Sequence, residues 1–268
     1  MSVAIDCFAP VNSVLGEGPV WDERTGTLYW VDIKAPALFA TEVAARQTRR
    51  WPMPERIGAI GLREGNGLVG AFKSGFALID LPAGTVRPIV DPEPDRPGNR
   101  FNDGKVDPRG RFWAGSMDDE EREPTGHLYR LDPDRSVERF EIGFICTNGI
   151  DWSGDGRTLY FTDTFERRIN AYDFDIERGH LGTRRTFAEV PEGRGFPDGL
   201  TVFDGYGQWR NPASGVIGRS PRVKIVLIAV KRAPDLEPRL SAVIDAYKTR
   251  FRQQSVGLIT RDSCAAFN

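Results

Sequence analysis

One phrase recurs along most of the chain: a polar residue and glycine, then a polar turn, then an aromatic-rich strand. It begins at Glu17-Gly18, Asp103-Gly104, Asn148-Gly149 and Asp198-Gly199, with a degenerate copy at Ile60-Gly61. Successive starts lie 43 to 50 residues apart, which is the length of chain that a four-stranded propeller blade occupies. Five starts are visible and a sixth blade would fit in the remaining length. The repeat therefore predicts a six-bladed β-propeller.

The segments between the turns support an all-β chain. The 29 glycines and 19 prolines separate short runs rich in Val, Ile, Trp, Tyr and Phe, which is typical of strands joined by tight turns. The clearest predicted strands are Thr27–Ile33, Gly67–Phe72, Arg111–Met117 and Thr158–Thr162. Helical periodicity is almost absent up to about residue 203, and we expect the Trp and Phe side chains to form the core between blades.

Composition excludes several other classes of protein. With 40% apolar and 28% charged residues the 268-residue chain can bury a core, but no apolar run approaches the roughly 18 residues of a membrane span. Residues 1–10 lack the features of a secretory signal. Cys7, Cys146 and Cys264 form no C-x-x-C pair, so we expect a cytoplasmic protein without disulfides, associated with neither membrane nor nucleic acid.

The last quarter of the chain breaks the pattern. Residues 1–202 carry a net charge of −8, whereas residues 203–268 carry +6. Val223–Val230 is predicted as a buried strand, and apolar spacing predicts a helix near residues 235–254. We therefore assign residues 1–202 to propeller blades. Residues 203–268 are an atypical, irregular continuation of the same domain, partly helical, incompletely closed and prone to association.

The repeat also predicts a site. Equivalent positions of successive blades meet at one end of a central channel, which would bring together Glu17, Asp103, Asn148 and Asp198. Carboxylates with an amide form a hard-oxygen ligand set suited to Ca²⁺, Mg²⁺ or Mn²⁺. The alternative is that these Asp-Gly and Asn-Gly pairs only form turns.

Other catalytic chemistries find less support in the sequence. The chain has no G-x-S-x-G or H-E-x-x-H motif and no phosphate-binding glycine loop before a helix. Its only histidines, His127 and His180, lie in a predicted strand and in a turn. We expect both to be structural or exposed.

Four segments resemble the SMP-30/gluconolactonase/LRE family, which includes bacterial sugar lactonases. They are LGEGPVWDERTGTLYWVDI (15–33), RFNDGKVDPRGRFWAGSMD (100–118), TNGIDWSGDGRTLYFTDT (147–164) and FPDGLTV (196–202). The resemblance covers about residues 8–202 and implies a six-bladed propeller. It also implies metal-dependent hydrolysis of aldonolactones to aldonic acids with one divalent ion, Ca²⁺, Zn²⁺, Mn²⁺ or Fe²⁺. We expect the protein to be a monomer, with association only through its atypical end.

The resemblance assigns roles to particular residues. Its motif matches imply Glu17, Asn148 and Asp198 as metal ligands, with Asp198 also the catalytic acid and base. Substrate-binding roles fall on Arg100, Asn102 and Glu120. Thus the functional residues in the RFNDGK segment are neighbours of Asp103 rather than Asp103 itself.

The resemblance ends after Val202, where the chain reads FDGYGQWRNPASGVIGRSP. A frameshift and natural divergence are both open as explanations of this end. Two alternative functions follow. One is a family member that keeps the metal site without turnover, and the other is a protein-binding propeller, because LYWVD and LYFTD are similar to the YWTD repeats of receptor propellers.

Overall fold

The chain folds into β-sheets throughout the part that can be described. The computed structural model describes residues 8–192, 195–210 and 217–228. Over these ranges there are eighteen strands and no helix, which confirms the all-β prediction. Sixteen strands build four antiparallel sheets of four strands each, and the last two pair as a separate sheet.

Each four-stranded sheet is a meander of consecutive strands. The first two sheets contain β1 (Gly16–Asp22), β2 (Thr27–Asp32), β3 (Ala37–Glu42), β4 (Gln47–Pro52), β5 (Ile57–Leu62), β6 (Leu68–Phe72), β7 (Gly75–Asp80) and β8 (Thr85–Val90). The next two contain β9 (Asn99–Val106), β10 (Phe112–Asp118), β11 (Gly126–Leu131), β12 (Val137–Phe144), β13 (Thr147–Trp152), β14 (Thr158–Asp163), β15 (Arg168–Asp175) and β16 (His180–Glu189).

The first strands of successive sheets lie side by side. β1 packs against β5, β5 against β9, and β9 against β13. This is the arrangement of propeller blades around a central axis, so the four sheets are blades 1 to 4 in chain order and β1, β5, β9 and β13 are their inner strands. The predicted count of six blades extends to residues outside the described ranges.

The turns form where the sequence placed polar residues. In the turn that joins β9 to β10, the buried Asp107 accepts hydrogen bonds from the backbone N–H groups of Arg109 and Arg111 at 2.8 and 3.0 Å. Its other oxygen accepts from Arg111 Nε at 2.6 Å and from Trp113 Nε1 at 3.1 Å. One carboxylate therefore closes the turn and orients the aromatic side chain that follows it.

Aromatic side chains fill the space between blades, as the sequence predicted. Trp113 of blade 3 is fully buried, with ring centroids 6.4 Å from Trp152 and 5.8 Å from Phe174 of blade 4. Phe76 of blade 2 lies 4.7 Å from Phe101 of blade 3. Large apolar contacts thus hold successive inner strands in fixed positions, because such rings dominate core energetics.

The end of the described chain is more regular than predicted. β17 (Leu200–Arg210) pairs antiparallel with β18 (Ile217–Ile228) in a two-stranded sheet, and β17 packs beside β13. Strand structure thus continues past Val202. The predicted strand at Val223–Val230 is confirmed as far as Ile228. The helix predicted near residues 235–254 lies outside the described residues.

Candidate active site

Strand pairing defines which inner-strand residues are equivalent. The repeated aromatic phrase reads LYWVD, FWAGS or LYFTD, and its last residue pairs with one residue of the inner strand. These pairs are Asp32 with Gly16, Ser116 with Phe101, and Asp163 with Thr147. The next residues along the inner strands are Glu17, Asn102 and Asn148. The repeat had predicted Asp103 for this ring, which is one residue too far along the chain. Strand pairing, and not the spacing of the repeat, decides which residues of the blades are equivalent.

The degenerate copy in blade 2 is also displaced. Ile57 pairs with Phe72, so the equivalent of Glu17 is Gly58 rather than Ile60. A Cβ atom on Gly58 would lie 2.4 Å from the carbonyl oxygens of both Phe101 and Asn102. The inner strands of blades 2 and 3 therefore approach so closely that blade 2 contributes no side chain at this position.

A break in the strand register lies at this level in every blade. The pairing shifts immediately after Glu17, Ile57 and Asn148 in their strands, and between Phe101 and Gly104 in β9. Such bulges redirect side chains and are frequent beside active sites. Here they mark one end of the central axis as the place where the predicted residues converge.

Asp103 has a structural role at this end. Its Oδ1 accepts a hydrogen bond from the Gly104 N–H at 2.7 Å, and its Oδ2 accepts one from the Gly149 N–H at 2.8 Å. The carboxylate therefore joins β9 to β13. Burial raises the pKa of Asp103, the two backbone donors lower it, and the charge of Asp198 raises it.

Glu17 lies among other charged groups. Its side chain is half-buried, and its pKa is raised from 4.5 to about 7. Burial is the largest cause, and the negative charges of Asp198 and Asp103 add to it, while the Gly18 N–H and Arg100 lower it. Residues from three parts of the chain thus act on one carboxyl, as expected of a converged site.

The two asparagines are linked directly. Asn102 Nδ2 donates to Asn148 Oδ1 at 2.9 Å and to the Thr147 carbonyl at 2.8 Å. Asn102 Oδ1 accepts from Arg100 Nη1 at 2.7 Å. Asn148 Nδ2 donates to Thr164 Oγ1 at 2.9 Å, which orients its carbonyl oxygen away from the threonine. Both amides are therefore held in one orientation by hydrogen bonds to groups on blades 3 and 4.

Arg100 is held by a carboxylate that the sequence analysis missed. The Arg100 side chain is only 6% exposed, and its Nε donates to Asp119 Oδ1 at 2.9 Å. Arg56 also forms an ion pair with Asp119, and Lys73 lies 3.4 Å from it. Asp119 follows the GSMD segment, so the run of four acidic residues beginning at Asp118 was the signal that pointed to it.

Glu120 lies apart from this cluster. Its side chain is 66% exposed and pairs with Arg122 at 3.0 Å. The next residue, Glu121, acts on the buried Cys146, whose pKa is raised to about 12 mainly by burial and then by the charge of Glu121. In this structure the carboxylate that contacts Arg100 is therefore that of Asp119, and the role predicted for Glu120 stays a prediction.

Asp198 comes from the segment that precedes β17. Asp198 lies partly in solvent, and the burial of the remainder raises its pKa. Its negative charge in turn raises the pKa of Glu17. A Cβ added to Gly149 would lie 2.8 Å from its carbonyl oxygen, so Asp198 is next to β13 at the level of Asn148. No three His, Cys, Asp or Glu side chains within the described ranges gather as a metal cluster. The predicted set contains only two carboxylates, Glu17 and Asp198, and completes its donors with an amide oxygen.

The two histidines take no part in this site. His127 is buried, with Nδ1 2.6 Å from Glu93 Oε1, which also accepts hydrogen bonds from Tyr129 and Ser116. The backbone N–H of His127 donates to Ser116 Oγ at 2.9 Å. His180 is exposed on blade 4. A Ser-His-Asp triad therefore has no support here, in agreement with the sequence analysis.

Gly149 is expected to be irreplaceable where inner strands meet. It has φ +48°, and an added Cβ would lie 2.5 Å from Thr162 Oγ1. We expect Gly149→Ala to lower the free energy of unfolding by about 2 to 4 kcal/mol, combining backbone strain and overpacking. Gly110→Ala is the control, since Gly110 has φ +81° but open space around it, and should cost about 1 to 2 kcal/mol. Equal losses in urea denaturation would contradict the close approach.

Two family models match the chain. One, described as the SMP-30/Gluconolactonase/LRE-like region, covers residues 15–210. The other, described as a protein of unknown function (DUF3574), covers residues 189–267. The two ranges overlap across the point where the sequence predicted a departure.

Relatives and solved structures agree with the first family. Regucalcin of Xenopus laevis is 35% identical over 206 residues, which are 75% of this chain and 69% of that protein. A calcium-binding regucalcin from Agrobacterium tumefaciens has a TM-score of 0.68 at 26% identity, covering 77% of this chain and 74% of its own. A gluconolactonase from Xanthomonas campestris has a TM-score of 0.59 at 25% identity, covering 71% and 67%. The repeat, the blades and these matches together show that the chain belongs to the SMP-30/gluconolactonase/LRE family.

Proposed function

We propose that this protein hydrolyses sugar lactones to the corresponding aldonic acids with the help of one divalent metal ion. The observation that carries the proposal is that Glu17, Asn148 and Asp198 lie at the same end of the propeller as Arg100 and Asn102. Family membership supports lactone hydrolysis as the class of reaction. Which sugar is preferred, among glucono-, xylono-, arabino- and galactonolactone, depends on loops around this end.

The residues at this end fit a divalent cation. The negative charge of Asp198 raises the pKa of Glu17, and a cation would offset that repulsion. The Asn148 carbonyl oxygen retains a second lone pair beside the one used by Asn102. Two carboxylates and an amide suit Ca²⁺ and Mn²⁺ and are compatible with Zn²⁺ or Fe²⁺. When bound, the metal would supply Lewis-acid polarisation of the lactone carbonyl.

Asp198 would move the proton. As the attacking water adds to the lactone carbonyl carbon, the Asp198 carboxylate takes one of its protons. The tetrahedral intermediate then breaks its bond to the ring oxygen, and Asp198 returns the proton to that oxygen to leave a hydroxyl. The raised pKa of Asp198 favours the first step, because a stronger base accepts the proton more readily.

Arg100 and Asn102 would orient the sugar. Both Asn102 N–H groups are used by protein acceptors, so Asn102 offers substrate the free lone pair of Oδ1. Within the described ranges Arg100 uses Nε and Nη1 for protein contacts, which leaves Nη2 to donate to a sugar hydroxyl. Fixed groups of this kind accelerate reactions by holding the substrate in one geometry.

A panel of aldonolactones tests the proposal. The released acid is titrated with base at constant pH, first with chelator and then with Ca²⁺, Zn²⁺, Mn²⁺ or Fe²⁺ added back. We expect hydrolysis above the spontaneous rate only with metal. A metal-bound protein without turnover on any lactone would favour the non-catalytic alternative, and hydrolysis unaffected by chelator would contradict the metal-dependent mechanism.

A further inference from the structure

We propose that Asp119 is a positioning residue, which holds the Arg100 guanidinium in the geometry that binds substrate. This inference rests on the proposed function, because Arg100 matters for substrate only if the lactone occupies this end. Asp119 itself points to the arginine rather than to the ring of Glu17 and Asn148. Its Oδ1 lies 2.9 Å from Arg100 Nε, and the Arg100 side chain is 6% exposed.

Burial of the Arg100 guanidinium costs free energy unless its charge is paired. Arg100 is removed from water, so its charge requires a partner. Its other protein acceptors are the carbonyl of Phe101 at 3.1 Å and Oδ1 of Asn102 at 2.7 Å, both uncharged. Among the described residues Asp119 is the carboxylate in hydrogen-bond contact with it. Charge-assisted bonds are the stronger ones, so Asp119 decides where the guanidinium lies.

Asp119 is itself held in place from two sides. Its backbone N–H donates to the Gly98 carbonyl at 3.0 Å. Its carboxylate is 15% exposed and contacts Arg56 and Lys73 of blade 2. Arg56 and Lys73 are held together, since the Lys73 N–H donates to the Arg56 carbonyl at 2.9 Å. A carboxylate anchored to a second blade is a rigid support for the arginine it holds.

The hydrogen bonds that begin at Asp119 continue to Asn148 of the predicted metal site. Arg100 Nη1 donates to Asn102 Oδ1, and Asn102 Nδ2 donates to Asn148 Oδ1. One line of hydrogen bonds thus runs from Asp119 on blade 3 to the amide on blade 4. Rotation of Arg100 would withdraw the donor that fixes Asn102. The Asn148 amide is held separately by Thr164, so we expect Asp119 to act on substrate binding, through Arg100 and Asn102, more than on the chemical step.

The test separates positioning from general stability. In Asp119→Asn we expect KM for the preferred aldonolactone to rise about tenfold or more, with kcat within about threefold of the parent, because ground-state and transition-state binding weaken together. Asp119→Glu should restore part of the loss. Asp80→Asn is the matched control, since Asp80 is also a carboxylate shared by two arginines, Arg63 and Arg87, on the outer part of blade 2. It should leave KM unchanged.

A binding measurement keeps the inference distinct from the proposed function. Calorimetry on the metal-loaded protein uses the aldonolactam, in which N–H replaces the ring oxygen, so no turnover is needed. A tenfold weaker lactam affinity in Asp119→Asn, at a melting temperature close to that of Asp80→Asn, supports the inference even if kcat is zero. An unchanged affinity and KM overturn it. So does a KM effect in Glu120→Gln that is absent from Asp119→Asn, which would move the role to Glu120. If Asp119→Asn fails to fold, Arg56→Met combined with Lys73→Met is measured in its place, with the same expected rise and the same overturning result.

Discussion

Asp198→Asn is expected to reduce kcat for lactone hydrolysis by about a thousandfold or more. Asparagine has nearly the same shape but cannot accept a proton, and general acid–base catalysis alone is worth about 10² to 10⁴ in rate. Loss of a metal-ligating carboxylate adds to this. Rates are measured at saturating lactone and metal.

Asp173→Asn is the control for this variant. Asp173 is 64% exposed, lies on blade 4 and pairs with Arg185 at 2.5 Å, so the same chemical change there should leave kcat unaltered. Hydrolysis by Asp198→Asn within tenfold of the parent would show that another group moves the proton. A thousandfold loss in both variants would indicate damage to the blade instead.

We expect Glu17→Gln to stabilise the metal-free protein and to destabilise the metal-loaded protein, each relative to the parent. Without metal, Glu17 is a half-buried carboxylate beside Asp198 and Asp103, and its pKa of about 7 lies above the ordinary 4.5. The folded state therefore holds a proton more tightly than the unfolded state. The contribution of Glu17 to the free energy of unfolding is greatest below about pH 4.5 and falls as the pH rises through 7, by at most about 3 kcal/mol. Glutamine carries no charge and removes this loss.

With metal the order should invert. Saturating metal stabilises the parent by mass action, about 2.7 kcal/mol at one hundred times Kd, whereas Glu17→Gln lacks one ligand and gains less. We thus expect Glu17→Gln to melt above the parent in chelator at pH 8 and below it with metal. Melting curves of both proteins across pH 4 to 8 measure this. A parent that melts at the same temperature with and without metal would contradict the assignment of Glu17, and Glu189→Gln, an exposed pair to Arg168, controls for loss of a surface charge.

The fold was predictable because it repeats. Each phrase carries its own turn residues and alternating apolar positions, so errors at one copy, such as Ile60-Gly61, did not affect the architecture. Residue-level placement was harder. Chain spacing put Asp103 level with Glu17, but one residue of bulge separates them, and a bulge is decided by backbone pairing between strands.

The candidate site was only half visible in the sequence. Asn148 stands out by its position in the repeat, and Arg100 stands out by its match to the family motif. Asp119 and Thr164 do not, because their roles depend on which side chain of a different strand they meet. Departure from the family motif at Val202 predicted loss of regular structure, yet β17 continues to Arg210. A second family model, described as a protein of unknown function (DUF3574), matches residues 189–267, so this end of the chain carries a sequence pattern of its own.

Gly58 makes the candidate site asymmetric. Since no side chain fits between the inner strands of blades 2 and 3, blade 2 contributes no predicted ligand, and the space beside it stays open to a bound molecule. Arg56 and Lys73 border that space, as does Arg100. A fourth donor could not be added to the predicted metal site at this position, because any Cβ would force the two strands apart. We expect differences in substrate choice to come from the residues beside Gly58 instead.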